Sequence, residues 1–291
     1  MTHAQRYVSN ELCHFVGKGK TPDQQYDLLA NKILKPGALT HGPNHDLAAA
    51  RTLGLNLSKP ISTDEMLQYQ VVCFCDIPVD DLLLHVSKYS RFGVSFRKEF
   101  LIDRGACPVF YVANESPVPA SELFNPPDFA DRIEAARKKG MADRALFFDT
   151  SVRAIIDMLA GIDVICCDET NRYFKGLNSA DFKERFRVLL GLSEAQLLSL
   201  ESSIKGNAKT ISTVRRCTDF LINYVFSYIK GFDAKRIFED ERHFYMEREW
   251  RVANNVTFAL TDVHRVFFPQ KYAARFRIDL PDYIGQVTFL D

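Results

Sequence analysis

No run in this 291-residue chain approaches the roughly 20 consecutive apolar residues of a membrane-spanning helix, which argues against a helical membrane protein. Met1-Thr2-His3-Ala4-Gln5-Arg6 lacks the apolar stretch of a secretory signal. Excess charge of either sign is missing too. Lysine plus arginine and aspartate plus glutamate number 37 each, so net charge does not indicate nucleic acid or an anionic membrane as partner. The seven cysteines are odd in number and have no framework spacing, which disfavours a disulfide scaffold and suits reduced thiols in a cytoplasm. No G-x-S-x-G elbow and no complete phosphate loop occur. What remains is an ordinary globular composition, 46% hydrophobic and 25% charged, on a chain long enough to bury a substantial core.

Hydrophobic periodicity divides the chain into three parts. Val8–Phe15 alternates like a strand. Thr21-Pro22-Asp23 opens a helix carrying Tyr26, Leu29, Ile33 and Leu34 at helical spacing, and Lys35-Pro36-Gly37 stops it. Residues 40–62 read as a loop with a helical piece at 47–53. Strands follow at 71–75, 92–96 and 108–113, with a helix at 79–87. After Asn125-Pro126-Pro127 the pattern turns helical, at 128–139, 149–160, 179–190, 193–204 and 211–230, with a short buried strand at 163–167. Strand character returns at 244–260, 263–268 and 285–290. The expectation is one α+β domain over 1–291, its mixed sheet built from the N- and C-terminal thirds, with a helical insertion at 125–240.

Candidate chemistry concentrates in a few segments. Glu247-Arg248-Glu249-Trp250-Arg251 holds two carboxylates beside the single tryptophan. If residues 245–252 are extended, Tyr245, Glu247, Glu249 and Arg251 share one face and Met246, Arg248, Trp250 and Val252 the other. That face is an exposed strand with solvated charges, a paired-carboxylate site, or an Arg–Glu network fixing Trp250 against the sheet. Tyr89-Ser90-Arg91 leads into a strand and places Tyr89 and Arg91 at a sheet edge. Cys73 and Cys75 share a side of their strand, and His41 and His45 share a loop, but no C-x-x-C closes a zinc site, so no metal is expected. Gly17-Lys18-Gly19-Lys20-Thr21 reads as a flexible basic turn. Lys205, Lys209, Arg215 and Arg216 read as a solvated helix face.

Five ordered blocks carry a resemblance: Tyr7–Gly17, Val72–Pro78, Lys88–Phe96, Cys107–Val112 and Glu247–Arg251. In that order they resemble the AbiGi family of bacterial abortive-infection, phage-resistance proteins. The resemblance implies a phage-defence role as the antitoxin-type member of a two-gene system; a cognate toxin and a phage-derived trigger are the partners expected. A second resemblance is to the ADP-ribosyltransferase plan, through the early histidine strand, Ile33-Leu34-x-x-Gly37-x-Leu39, and a C-terminal glutamate. It implies NAD as cofactor. His14 would hold the nicotinamide ribose, and Tyr89 would stack on the nicotinamide ring. Arg91 or Arg251 would bind the pyrophosphate. Glu249, or else Glu247, would stabilise the oxocarbenium-like ribose. Phe15 and Val16 follow His14 where that plan often has a threonine. Three functions are thus expected: an NAD-using effector, a non-catalytic partner that binds and restrains a toxin, and a sensor of a phage-derived ligand with no turnover of its own.

Overall fold

The computed structural model describes residues 9–41, 54–55, 67–68, 71–113, 144–166, 179–232 and 244–291. The chain divides into two compact units. One comprises Met1–Ala50, Val71–Val109 and Phe238–Asp291, the other Arg51–Gln70 and Phe110–Ile237. The strands, in chain order, begin with β1 (Glu11–Phe15), β2 (Ala38–Leu39), β3 (Gly54–Leu55), β4 (Leu67–Gln68) and β5 (Val72–Cys75). Next come β6 (Gly93–Arg97), β7 (Cys107–Pro108), β8 (Phe110–Ala113) and β9 (Ile229–Phe232). The last are β10 (Glu249–Val252), β11 (Val256–Thr257), β12 (Val263–Phe268) and β13 (Gln286–Phe289).

The first unit is built on a seven-stranded sheet in the order β13-β12-β6-β1-β5-β10-β7. Its pairs are antiparallel except β12–β13, which is parallel. The fold is therefore α+β, and the mixed sheet draws its strands from both ends of the sequence. Alternation along the strands separates two faces. Leu12, Phe74, Val94, Phe96, Val252, Val266 and Phe268 point to one side, where they join a single apolar cluster with Tyr26, Leu29, Ile33 and Phe276. The latter come from two helical segments. Pro22–Leu34 starts with a capping box in which the Thr21 hydroxyl accepts from Gln24 N and the Gln24 side chain accepts from Thr21 N. It widens to a π-helix over Leu28–Leu34. The second segment is the helix Ala273–Asp279.

The two segments are tied by their tyrosines. The Tyr26 hydroxyl donates to Asp279 at 2.8 Å and the Tyr272 hydroxyl to Asp23 at 2.7 Å, while the two rings stack 5.0 Å apart. Burial, then the hydrogen bond to Asp23, pushes the Tyr272 hydroxyl up to about 12. On the opposite face of the sheet, Cys13, Cys75 and Phe267 pack against Leu82 and Val86 of the segment 79–88.

The second unit contains the helices Arg144–Cys166, Ser179–Leu189, Glu194–Lys205 and Ala208–Phe220, with Ile165, Phe186 and Leu197 in one cluster. It also holds the parallel pair β8–β9 and the antiparallel pair β3–β4.

Several expected boundaries change. Residues 163–166 continue the helix Arg144–Cys166 instead of forming a strand: Asp163 and Ile165 are buried within it, so the apolar run is one side of a packed helix. The helix expected to reach residue 230 stops earlier, and residues 229–232 pair with β8. The strand expected at 108–113 splits at Val109, whose N–H donates to Glu249 O, so β7 joins the large sheet while β8 pairs elsewhere. The strand expected over 244–260 shortens to β10 and β11. The helices Lys98–Ile102 and Ala273–Asp279 were not foreseen. The helical readings at 47–53 and 128–139 lie outside the described residues.

Gly37 closes the first helical segment at φ 67°, its N–H donating to Ile33 O and its carbonyl accepting from Phe258 N. A Cβ there would lie 2.3 Å from the Phe258 carbonyl oxygen, whereas one at Gly19, φ 76°, would meet nothing within 4 Å. Both alanine substitutions carry backbone strain of about 1–3 kcal/mol. Gly37→Ala is expected to be the more destabilising of the two in urea titration, because it alone adds a clash with backbone.

Candidate functional site

The carboxylate block folds differently at its two ends. Trp250 and Val252 of β10 turn toward the apolar cluster, and Glu249 and Arg251 turn to the other face. There Glu249 stands opposite Cys75, and Arg251 stands opposite Cys73 on one side and Cys107 on the other. The Arg251 guanidinium donates from Nε to Glu249 Oε1 at 2.6 Å, with Glu249 5% and Arg251 3% exposed. A charge pair at that depth holds only if each member neutralises the other.

Glu247 does not continue this strand. Phe244–Glu247 is a 3-10 turn, and Arg248 takes φ 46° before β10 begins. The extended face expected for Tyr245, Glu247, Glu249 and Arg251 is therefore broken at Arg248. The turn delivers Glu247 to a different set of partners. Its Oε1 accepts from Lys88 Nζ at 2.7 Å and from the Tyr89 hydroxyl at 2.6 Å. Burial, then the Glu247 charge and this hydrogen bond, pushes the Tyr89 hydroxyl far up, so it stays a donor. Tyr89 also stacks on His85 at 4.5 Å, and the Lys18 ammonium lies 5.0 Å from its ring centroid.

Tyr89 and Glu247 thus meet, and so do Glu249 and Arg251. His14 is elsewhere. Cys13, Cys75 and Glu249 are successive register partners, so the residue after Cys13 projects to the opposite face from Glu249. There the His14 ring lies 5.7 Å from Phe74, and its Nδ1–H donates to Cys73 O at 2.7 Å. Arg91 is exposed just before β6, which is an interior strand and not a sheet edge. Gly17–Lys20 is a pinned turn: Lys20 N donates to Gly17 O, and the Gln25 side-chain amide donates to both Gly17 O and Lys20 O. In the second unit, Lys205 pairs with Glu201 at 3.8 Å.

Two important residues escaped the sequence reading. Lys88 neutralises Glu247, and its only signal was adjacency to Tyr89. Asp76, 4% exposed, accepts from Ser9 N at 3.1 Å and pairs with Lys98 at 2.8 Å and Arg248 at 3.7 Å. An aspartate ending an apolar strand before Ile77-Pro78 reads as a turn residue, which hides that role. Among the described residues, no group of three or more His, Cys, Asp or Glu side chains could hold a metal ion, and no helix is long and apolar enough to cross a membrane.

Residues 62–148 match the AbiGi family. The family's description reads "Putative abortive phage resistance protein AbiGi, antitoxin". The AbiGi match takes in β5, β6 and β7, and with them Lys88, Tyr89 and Asp76. It contains the blocks at 72–78, 88–96 and 107–112, while Tyr7–Gly17 and Glu247–Arg251 lie outside it. No curated protein and no solved structure matches the chain, so the ADP-ribosyltransferase resemblance gains no support from the AbiGi match or from any structure.

Two outcomes test the charge network. Glu249→Ala leaves Arg251 buried without that carboxylate and is expected to cost about 3 kcal/mol. Glu249→Leu with Arg251→Met should recover most of the loss in chemical denaturation. A tyrosine whose hydroxyl titrates higher when folded adds stability below the ordinary range near pH 10, and that stability drains away above it. The melting temperature should therefore fall more steeply above about pH 10 in the wild type than in Tyr89→Phe.

Proposed function

We propose that this protein serves phage defence as a non-catalytic, antitoxin-type partner that binds and restrains a toxin. The observation carrying this reading is that both candidate carboxylates are spent inside the fold. Glu247 is held by Lys88 and Tyr89, and Glu249 by Arg251, with both carboxylates buried. A transferase acting on NAD needs a carboxylate aimed at the positive charge that develops on the ribose, in a cleft shared with its other catalytic groups. Glu249 faces Arg251, and His14 projects from the opposite side of the sheet. These residues behave as a framework that fixes strand positions. The family description of residues 62–148 as antitoxin supports the same reading.

Expression of the full chain alone in a bacterial host is expected to leave growth and cellular NAD unchanged, with wild type and Glu249→Gln indistinguishable. Co-expression with a toxin encoded alongside it should restore growth that the toxin arrests. Growth arrest by the chain alone that disappears in Glu249→Gln, or release of nicotinamide from NAD by purified protein, would overturn the proposal in favour of an effector.

A further inference from the structure

We infer that Cys13 and Cys75 form an oxidisable cross-strand thiol pair, a modification site that a peroxide converts to a disulfide. The two are direct register partners on adjacent antiparallel strands, β1 and β5. Such partners have Cα atoms about 4.5–5.5 Å apart, inside the roughly 4.4–6.8 Å that a disulfide spans. Both are free thiols on the same face, 1% and 3% exposed, and they pack in one apolar cluster. The backbone pairing therefore already lies within disulfide range.

The surroundings distinguish the two thiols. Cys75 also lies close enough to His85 to be influenced by it. Burial pushes the Cys75 thiol up, but its interactions with Cys13 and His85 outweigh it and hold Cys75 below the ordinary thiol range. Cys13 moves the other way, through its interaction with Cys75 and its burial. Cys75 is thus the attacking sulfur and Cys13 the resolving one. The other thiols on this face, Cys73 and Cys107, are exposed, but they flank Arg251 on opposite sides of β10. Two strand spacings, about 10 Å, separate them and forbid a bond.

The chemistry balances with hydrogen peroxide as the oxidant. The Cys75 sulfur attacks one peroxide oxygen as its own proton departs. The O–O bond breaks, and the leaving hydroxide takes that proton and departs as water. Cys75 is then a sulfenic acid. The Cys13 sulfur attacks it, the S–O bond breaks, and a second water departs with the Cys13 proton. Two thiols have lost two electrons and two protons to one peroxide. The disulfide would join the centre of the sheet covalently, one register position from Glu249.

The test uses the full chain with Cys73→Ser and Cys107→Ser, exposed to a graded series of hydrogen peroxide, quenched with an alkylating agent and read by intact mass and peptide mapping. The expected result is a loss of two hydrogens and a Cys13–Cys75 linked peptide. In Cys13→Ser the expectation is a gain of one oxygen mapped to Cys75, and in His85→Phe a several-fold slower reaction. Absence of the linked peptide from folded protein, while a small thiol control is oxidised in the same tube, would overturn the inference. So would a link that forms only in denaturant.

Discussion

The sheet-bearing unit depends on the neutralisation of its buried carboxylates, mostly by partners from other parts of the sequence. Glu11 accepts from Ser95 and from Arg265, which also donates to Thr288. Asp76 is matched by Lys98 and Arg248, Glu247 by Lys88, and Glu249 by its strand neighbour Arg251. An ionised carboxylate removed from water costs several kcal/mol unless a cation and hydrogen bonds replace the solvent. Those requirements act as position markers: a strand placed one register away would leave a charge stranded. Hydrophobic burial drives collapse onto the apolar face, while charge matching selects the strand order on and around the sheet.

This division of labour explains why the two faces differ so much. One face is a continuous apolar layer from Leu12 to Phe268, closed by helical segments whose tyrosines are hydrogen-bonded to aspartates. The other carries Glu11, Ser95, Glu249 and Arg251 among a small apolar cluster around Cys13 and Cys75. Functional residues naturally look concentrated on such a face. Their chemistry is turned inward, toward charge matching within the fold.

What the sequence made legible follows from the range of the forces involved. β1, β5, β6 and β12 could be read because alternation and apolar content are local properties, and the helix at Pro22 could be read because Thr21 caps it through neighbours three residues away. Residues 163–166 were misread because Val164 and Ile165 favour strands, while packing of the helix Arg144–Cys166 overrode that preference. Arg248 at positive φ has no sequence signature, so the break between Glu247 and Glu249 was hidden. Lys88 meeting Glu247, 159 residues away, and Cys13 facing Cys75 depend on which strands become neighbours, and periodicity carries no information about that.

The strand order has a consequence in time. β1 lies at the centre of the sheet, but β10, β12 and β13 are the last strands to leave a ribosome. Loop closure over most of the chain must therefore precede completion of the core, and such non-local topologies fold slowly. Until residues beyond 249 arrive, β5 and β6 each have an unpaired outer edge flanking apolar strands. The nascent protein thus spends much of its synthesis exposed to misassociation, and chaperone protection would matter most in that interval.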